Sequence, residues 1–241
     1  MVSTVNSAAS HTLAALATQP RIGDLDLQFS TGWNETTDFQ KGLFSKQWGS
    51  TSWEDAILQG PHLYVSTPLY KQPNETMRHF QDWTSTDLET LSASAEPVTQ
   101  YKPAGDRATY DRLYTHWNSS SARDHYRIAW RTQVPLTGER TLTPSIIPPG
   151  SAHVDGLYSG CSPQHHEDLL VLASGTLSSI LVDFYARSRG FSHIRSSAAN
   201  SLPTVSPASP LALRVQYRTL RLNCLTDAYA HLWTECWDES F

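Results

Sequence analysis

The chain has 241 residues, 39% of them apolar and eight of them tryptophan, which is enough to fill the core of one large or two small domains and excludes a disordered segment. Its formal net charge of -5 argues against a free-standing, nonspecific binder of nucleic acid. No apolar run reaches the roughly 18 to 20 residues that span a bilayer, and three cysteines with no CxxC pair make no disulfide framework.

The first twenty residues lack the basic start and long apolar stretch of a secretion signal, so a reducing, cytoplasmic setting with no membrane contact is expected. Within them ASHTLAALA predicts a short helix. Residues 24 to 70 read as short strands and turns, through LDLQF, TGWNETTDF and GPHLYVSTPLY, with His62-Leu63-Tyr64-Val65 a strand that ends where Pro68 interrupts it. Pro73-Asn74 marks a turn and Ser85-x-Asp87 a helix start. In Tyr126–Arg131 the residues alternate. Tyr126, Ile128 and Trp130 share an apolar face; Arg127, Ala129 and Arg131 share a cationic one. Leu136-Thr137-Gly138-Glu139 supplies a turn, RTLTPSII returns as a second strand, and Pro148-Pro149 ends the pairing, so a β-hairpin is predicted.

The last third changes to helical spacing. Ser162-Pro163 reads as an N-cap followed by proline at the first helical position, with Glu167 and Asp168 near the positive end. Apolar residues recur at 170, 173, 177, 180, 181 and 184, Ser174-Gly175-Thr176 is a candidate break, and Gly190 is the C-cap after Arg187 and Arg189. Ser209-Pro210 repeats the start signal, and Val215, Leu222, Leu225, Tyr229, Leu232 and Cys236 predict a second long amphipathic helix. The fold class expected is α+β. A mixed or antiparallel sheet with a hairpin fills residues 1–160, and a helical part, 161–241, packs on it, either as a second unit or as part of one continuous domain.

The charge is unevenly distributed. Between Phe184 and Thr226 stand six arginines (187, 189, 195, 214, 218 and 221) and no acid, whereas the end from Asp227 is acidic. Residues 101 to 140 hold Lys102 and Arg107, Arg112, Arg123, Arg127, Arg131 and Arg140 against four acids. Fourteen arginines against four lysines suit fork-shaped recognition of phosphate or guanine, although a GC-rich genome gives the same bias. Catalytic motifs are missing. There is no G-x-S-x-G elbow, no glycine-rich phosphate loop, and no Asn/Asp-Pro-Pro-aromatic motif for a flipped adenine. His153, Cys161, His165 and His166 form a weak zinc-like cluster, and His79, Asp82 and Asp87 a weak carboxylate-histidine one; for both, an ordinary polar junction or surface network is the stronger reading. Lys41 near Asp38 and Lys46 near Glu54 fit a metal-dependent nuclease poorly.

Tyr126-Arg127-Ile128-Ala129-Trp130-Arg131, Glu139-Arg140-Thr141-Leu142 and Ile146-Ile147-Pro148-Pro149-Gly150 together resemble the "Y-R-x-x-W-R … N-E-R-T-L … I-x-P-P-G" run of large DNA adenine-N6 methyltransferases. These are the type IIG restriction-modification enzymes and the BREX and DISARM phage-defence methyltransferases. Leu169–Ala173 through Ser178–Phe184 is similar to their "L-L-x-L-L-N-S … D-F" helix pair, Ser201-Leu202-Pro203 to a Leu-Pro strand start, and Leu220–Thr226 to the helix that follows. The likeness covers roughly residues 60 to 235, with Gly138 where the family carries Asn. It implies a target-recognition region without the S-adenosylmethionine-binding half. Such a module is non-catalytic by itself and has no cofactor of its own. Its implied partners are double-stranded DNA and a methyltransferase lobe that holds S-adenosylmethionine, which places it at the nucleoid. The DNA-binding residues expected on this basis are Arg127, Arg131, Arg140, Thr141, Arg187, Arg189 and Arg195. A protein-interaction subunit that docks a partner without touching DNA is the alternative, and a cryptic nuclease a third.

Overall fold

Short strands from the middle of the chain are covered by helices from its two ends. The computed structural model describes residues 6–135, 137–164 and 166–241. Helix α1 (Ser7–Ala17) lies where ASHTLAALA predicts one and is capped by Asn6, whose side chain accepts from the Ala9 amide at 2.8 Å. Strand β1 (Gln28–Ser30), the single turn α2 (Thr37–Gln40), and strands β2 (Phe44–Ser50) and β3 (Ile57–Leu58) follow. His62-Leu63-Tyr64-Val65 is not a strand. Gly60–His62 is a 3-10 turn, closed by the Gln59 amide donating to His62 Nδ1 at 2.9 Å, and Ser66 then reverses the chain with φ +61°. Strands β4 (Lys71–Pro73) and β5 (Trp83–Ser85) form a hairpin with a nine-residue loop, so Ser85 ends a strand and no helix starts there. Asp87 instead turns its carboxylate onto the Glu89 amide at 3.0 Å, and that polar stretch has no apolar stripe to anchor a helix.

Strand β6 (Val98–Pro103) pairs antiparallel with β2, with a bulge between Lys46 and Gly49 that tilts this ladder. Helix α3 (Arg107–Leu113), capped by Asp106, and the small pair β7 (His116–Trp117) and β8 (Ser120–Ser121) lead to β9 (Arg127–Arg131). The expected hairpin exists as β9 paired antiparallel with β10 (Ser145–Ile147) in the register Ala129 opposite Ser145. Only three residues of RTLTPSII are strand. The connection is long, and of its predicted turn Leu136 lies outside the described residues. Strands β11 (Ala152–His153) and β12 (Leu157–Cys161) complete the set: β11 runs parallel to β3, while a four-stranded antiparallel sheet has the order β1-β12-β9-β10.

Strand β9 is paired on both edges and, independently, covered on both faces. Tyr126, Ile128 and Trp130 join the main core; Ala129 joins Ala56, Leu58, Leu63, Ile147 and Leu157 behind the sheet. The face expected to be cationic and open is therefore a second core.

The helical third begins later than the sequence suggests. Ser162-Pro163 belongs to the turn after β12, and α4 (Glu167–Ser178) starts behind His166 with no side-chain cap. The break falls at Ser179, not at Ser174-Gly175-Thr176. Ser179 caps α5 (Ile180–Ser188) by accepting from the Val182 amide at 3.2 Å, and the axis bends by 65°. Gly175 has a packing role instead: a Cβ there would meet Thr219 and stand 2.7 Å from Val215 Cγ1. Gly190, at φ +68°, ends α5 as expected. After α6 (Ser196–Asn200), the predicted long helix is two: α7 (Ala212–Asn223) and α8 (Ala230–Cys236), separated by a 3-10 turn over Asp227–Tyr229. Asn223 forces the stop by turning inward, accepting from the Ile146 amide at 3.0 Å and donating to the Thr219 carbonyl at 2.9 Å. Helix α4 packs on α7, β9 and β10, and one core runs from Leu13 to Leu232 through both parts of the chain. No single described helix is long and apolar enough to cross a membrane.

Candidate nucleic-acid interface

The seven residues expected to meet DNA divide sharply by environment. Arg127 is fully buried in the central strand. It donates through Nη1 to the Tyr114 hydroxyl at 3.3 Å and through Nη2 to the Ser151 carbonyl and hydroxyl, so it braces the interior and is not a DNA contact in this fold. The reason is topological: alternation along β9 points Arg127 away from the main core, where a second layer already waits. Thr141 is also buried and is corrected likewise. Its amide donates to Asp183 Oδ1 at 2.7 Å, and its hydroxyl accepts from Arg187 Nε at 2.9 Å.

Around that carboxylate the Gly-Glu-Arg-Thr stretch is tied down. The Leu142 amide donates to the same Asp183 oxygen at 2.7 Å, and Arg140 Nε lies 3.3 Å from it. Arg140 Nη2 donates to the Ser178 carbonyl at 2.7 Å, while Arg187 Nη2 donates to the Gly138 carbonyl at 2.8 Å. Two arginines and one aspartate thus clamp a loop onto the α4–α5 corner. That Asp183 serves as the anchor of this loop could be read only from the fold.

Arg189 and Arg195 are exposed, Arg189 resting over the Phe191 ring at 5.9 Å. On α7, Arg214, Arg218 and Arg221 fall within about 60° of one another around the axis. They lie opposite the buried side made by Ala212, Gln216, Thr219, Leu220 and Asn223. None of these five arginines pairs with a carboxylate among the described residues. Leu213 and Leu222 flank the α7 row and are exposed.

Arg131 sits elsewhere. It is half-buried in the wall of a cleft of about 760 Å3, where Nε donates to the Gly60 carbonyl at 2.7 Å and Nη2 to the Leu63 carbonyl at 2.8 Å. Burial lowers its pKa from the ordinary value, and no acid among the described residues forms an ion pair with it. On the cleft rim, burial raises the Glu35 pKa, with Asp155 adding to the rise, against opposing hydrogen bonds from Tyr101 and Gln59. Burial, with the Glu35 charge, pushes Tyr101 up to about 12. No motif in the sequence pointed to Glu35, Gln59, Tyr101 or Asp155, because they are drawn to Arg131 from β6 and three separate loops.

The weaker chemical clusters do not assemble. Asp82 accepts from Asn74 Nδ2 at 2.6 Å, Thr76 Oγ1 at 3.0 Å and the Arg78 amide at 3.1 Å, which makes it the centre of a satisfied loop network. His153 is fully buried between the Val154 carbonyl and the Ser159 hydroxyl, at 3.0 and 2.8 Å, and His165 lies outside the described residues. No group of three or more His, Cys, Asp or Glu is placed to hold a metal ion among the described residues. Ser159 and His153 make a hydroxyl-imidazole pair, but both are at 0% exposure, out of reach of any substrate. The chain matches no family model and no curated protein.

Proposed function

We propose that the chain is a non-catalytic recognition module for double-stranded DNA, built in the manner of a target-recognition domain and working beside an adenine-N6 methyltransferase lobe that holds S-adenosylmethionine. The observation that carries this reading is the row Arg214, Arg218 and Arg221 on the outer face of α7, exposed and without acidic partners among the described residues. Arginines at one-turn spacing without acidic partners, Arg221 resting over the Tyr217 ring at 5.5 Å, are suited to a phosphate backbone, and Arg189 and Arg195 extend the same acid-free stretch. Arg140, Thr141 and Arg187 then act indirectly, by fixing the loop beside that stretch.

Fluorescence anisotropy with a labelled duplex, titrated with salt, tests the proposal. The wild-type chain binds, and binding weakens steeply as salt rises, because phosphate contacts release counterions. The triple reversal Arg214→Glu/Arg218→Glu/Arg221→Glu abolishes it while the melting temperature stays put. Salt-independent binding, or none, overturns the proposal.

A second reading has its own support. Ile180, Leu181 and Phe184 are exposed at 73%, 52% and 37% on α5, an apolar face suited to a protein partner. If the wild-type chain co-elutes with a purified adenine-N6 methyltransferase, Ile180→Ser/Leu181→Ser abolishes that co-elution, and the wild type never shifts DNA, the docking role stands alone.

A further inference from the structure

The cleft that contains Arg131 lies apart from the α7 arginines, and three independent features describe what would fit it. The first is an aromatic presented on a rigid mount. Phe80 is 81% exposed, yet the loop bearing it is pinned on both sides: Asp82 ties Asn74, Thr76 and the Arg78 amide, and Thr84 Oγ1 donates to Asn74 Oδ1 at 2.7 Å. A large apolar ring held open to water by such a network is costly unless something stacks on it. Trp83 stands in the same wall, fixed edge-on against the buried His62 ring at 4.8 Å between centroids.

The second feature is positive charge. Arg131 spends Nε and Nη2 on two backbone carbonyls and meets no carboxylate among the described residues. Lys46 also lines the cleft, exposed, and it too forms no ion pair among the described residues. Glu35 shares the lining and its charge is coupled to that of Lys46, so the cation left over is Arg131, half-buried and without an ion pair among the described residues, which favours an anionic ligand over a neutral one such as a sugar. The third feature is a polar edge opposite the aromatics. Glu35 and Gln59 face the same space, and Gln59 Oε1 is buried without a hydrogen-bond partner. Gln59 Nε2 already donates to Glu35 Oε1 and Gln100 Oε1 at 3.4 Å, so what the two side chains offer is acceptors, which match an amino group and an adjacent ring N–H on a heterocycle.

We propose that this cleft is a nucleotide site: a nucleobase lies between Phe80 and Trp83 with its polar edge on Glu35 and Gln59, and its phosphate meets Lys46 and Arg131. Its volume, about 760 Å3, lies within the range of small-ligand pockets and holds one nucleotide. The site does not depend on the α7 grip. Its occupant is either a free nucleotide or one nucleotide unit of a strand, since both present the same base and phosphate.

The test uses the purified full chain, with the four nucleoside 5′-monophosphates, the matching nucleosides, a neutral oligosaccharide, and two duplexes that differ only in one extrahelical base. Binding is read by tryptophan fluorescence and calorimetry. At least one monophosphate binds saturably, its nucleoside binds about tenfold more weakly, and Phe80→Ala and Lys46→Ala each cost about tenfold. Both substituted positions are exposed, so melting temperature verifies folding, and Glu35→Gln changes which base is preferred. Preference for the bulged duplex over the paired one, abolished in Phe80→Ala, identifies a strand unit; monophosphate binding without that preference identifies a free nucleotide. Failure of every nucleotide probe, binding of the oligosaccharide alone, or affinities untouched by the Phe80 and Lys46 substitutions overturns the proposal. The α7 triple reversal leaves monophosphate binding intact, which separates this site from the duplex-binding reading.

Discussion

Arg127 is a cation at 0% exposure held by one hydroxyl, one carbonyl and a second hydroxyl. Replacing it with methionine keeps the volume and strands those acceptors, so Arg127→Met is expected to lower unfolding free energy by about 3 kcal/mol in urea melts. Arg140→Ala removes the cation beside Asp183, whose side chain is only 7% exposed, and should cost about 2 kcal/mol with duplex affinity unchanged. Equal loss of stability and of DNA affinity at unchanged fold would instead make Arg140 a contact. Two histidines set an acid limit. Burial holds His62 down at about 4 and, with the charge of Arg127 adding to it, His153 at about 3, so both are neutral in the fold. The unfolded chain, at the ordinary value of 6.5, takes up those protons first as pH falls. Stability is therefore whole above about pH 6.5 and declines below it, by about 1.4 kcal/mol per pH unit for each histidine, down to the folded values. Urea midpoints measured from pH 7 to 4 check this; His62→Gln should flatten the slope by one proton's worth.

At the scale of elements, the contact between α4 and α7 turns on one missing side chain. Alanine at an exposed helix position would gain about 1 kcal/mol over glycine, yet at 175 its Cβ would run into Thr219 and Val215. Overpacking wins, and Gly175→Ala is expected to lose about 2 kcal/mol. Thr219→Ala in the same chain should recover part of that loss, a coupling that thermal melts of the two single variants and the double variant will measure. A neutral or stabilised single variant would mean that the two helices sit farther apart. The same contact explains why the predicted stripe of α7 was misplaced. Val215 and Leu222 are its expected core positions; Val215 does reach the contact, half-buried beside Gly175, and Thr219 packs with it, while Gln216 and Asn223 turn inward to donate to the Asp168 carbonyl and to bridge the Ile146 amide and the Thr219 carbonyl. Leu222 is left 59% exposed. Likewise the alternation Tyr126–Arg131 identified a strand correctly, and the open face it implied was closed by residues from 56 to 63 and 147 to 157. A period of two tells which side chains share a face, never whether that face is covered.

For the whole molecule, a net charge of -5 is compatible with binding a polyanion only if the positive charges are gathered. They are, on α7 and in the stretch before it. Removing one arginine from a phosphate lowers the slope of log affinity against log salt by about 0.9. Neutralising all three, as Arg214→Gln/Arg218→Gln/Arg221→Gln, should therefore weaken binding and flatten that slope by about 2.7 relative to wild type. What the sequence determined by itself is the mixed helix and strand content, the first helix, the hairpin around Trp130, the cap at Gly190, and the acid-free arginine stretch, because each rests on neighbours close along the chain. Tertiary structure alone decided which arginines are buried, which brace a loop and which stay free. It also decided that Glu35, Lys46, Phe80 and Arg131 share one cleft. Those outcomes depend on which distant segment covers a face and which carboxylate or carbonyl arrives beside a guanidinium, and such pairings leave no periodic trace along the chain.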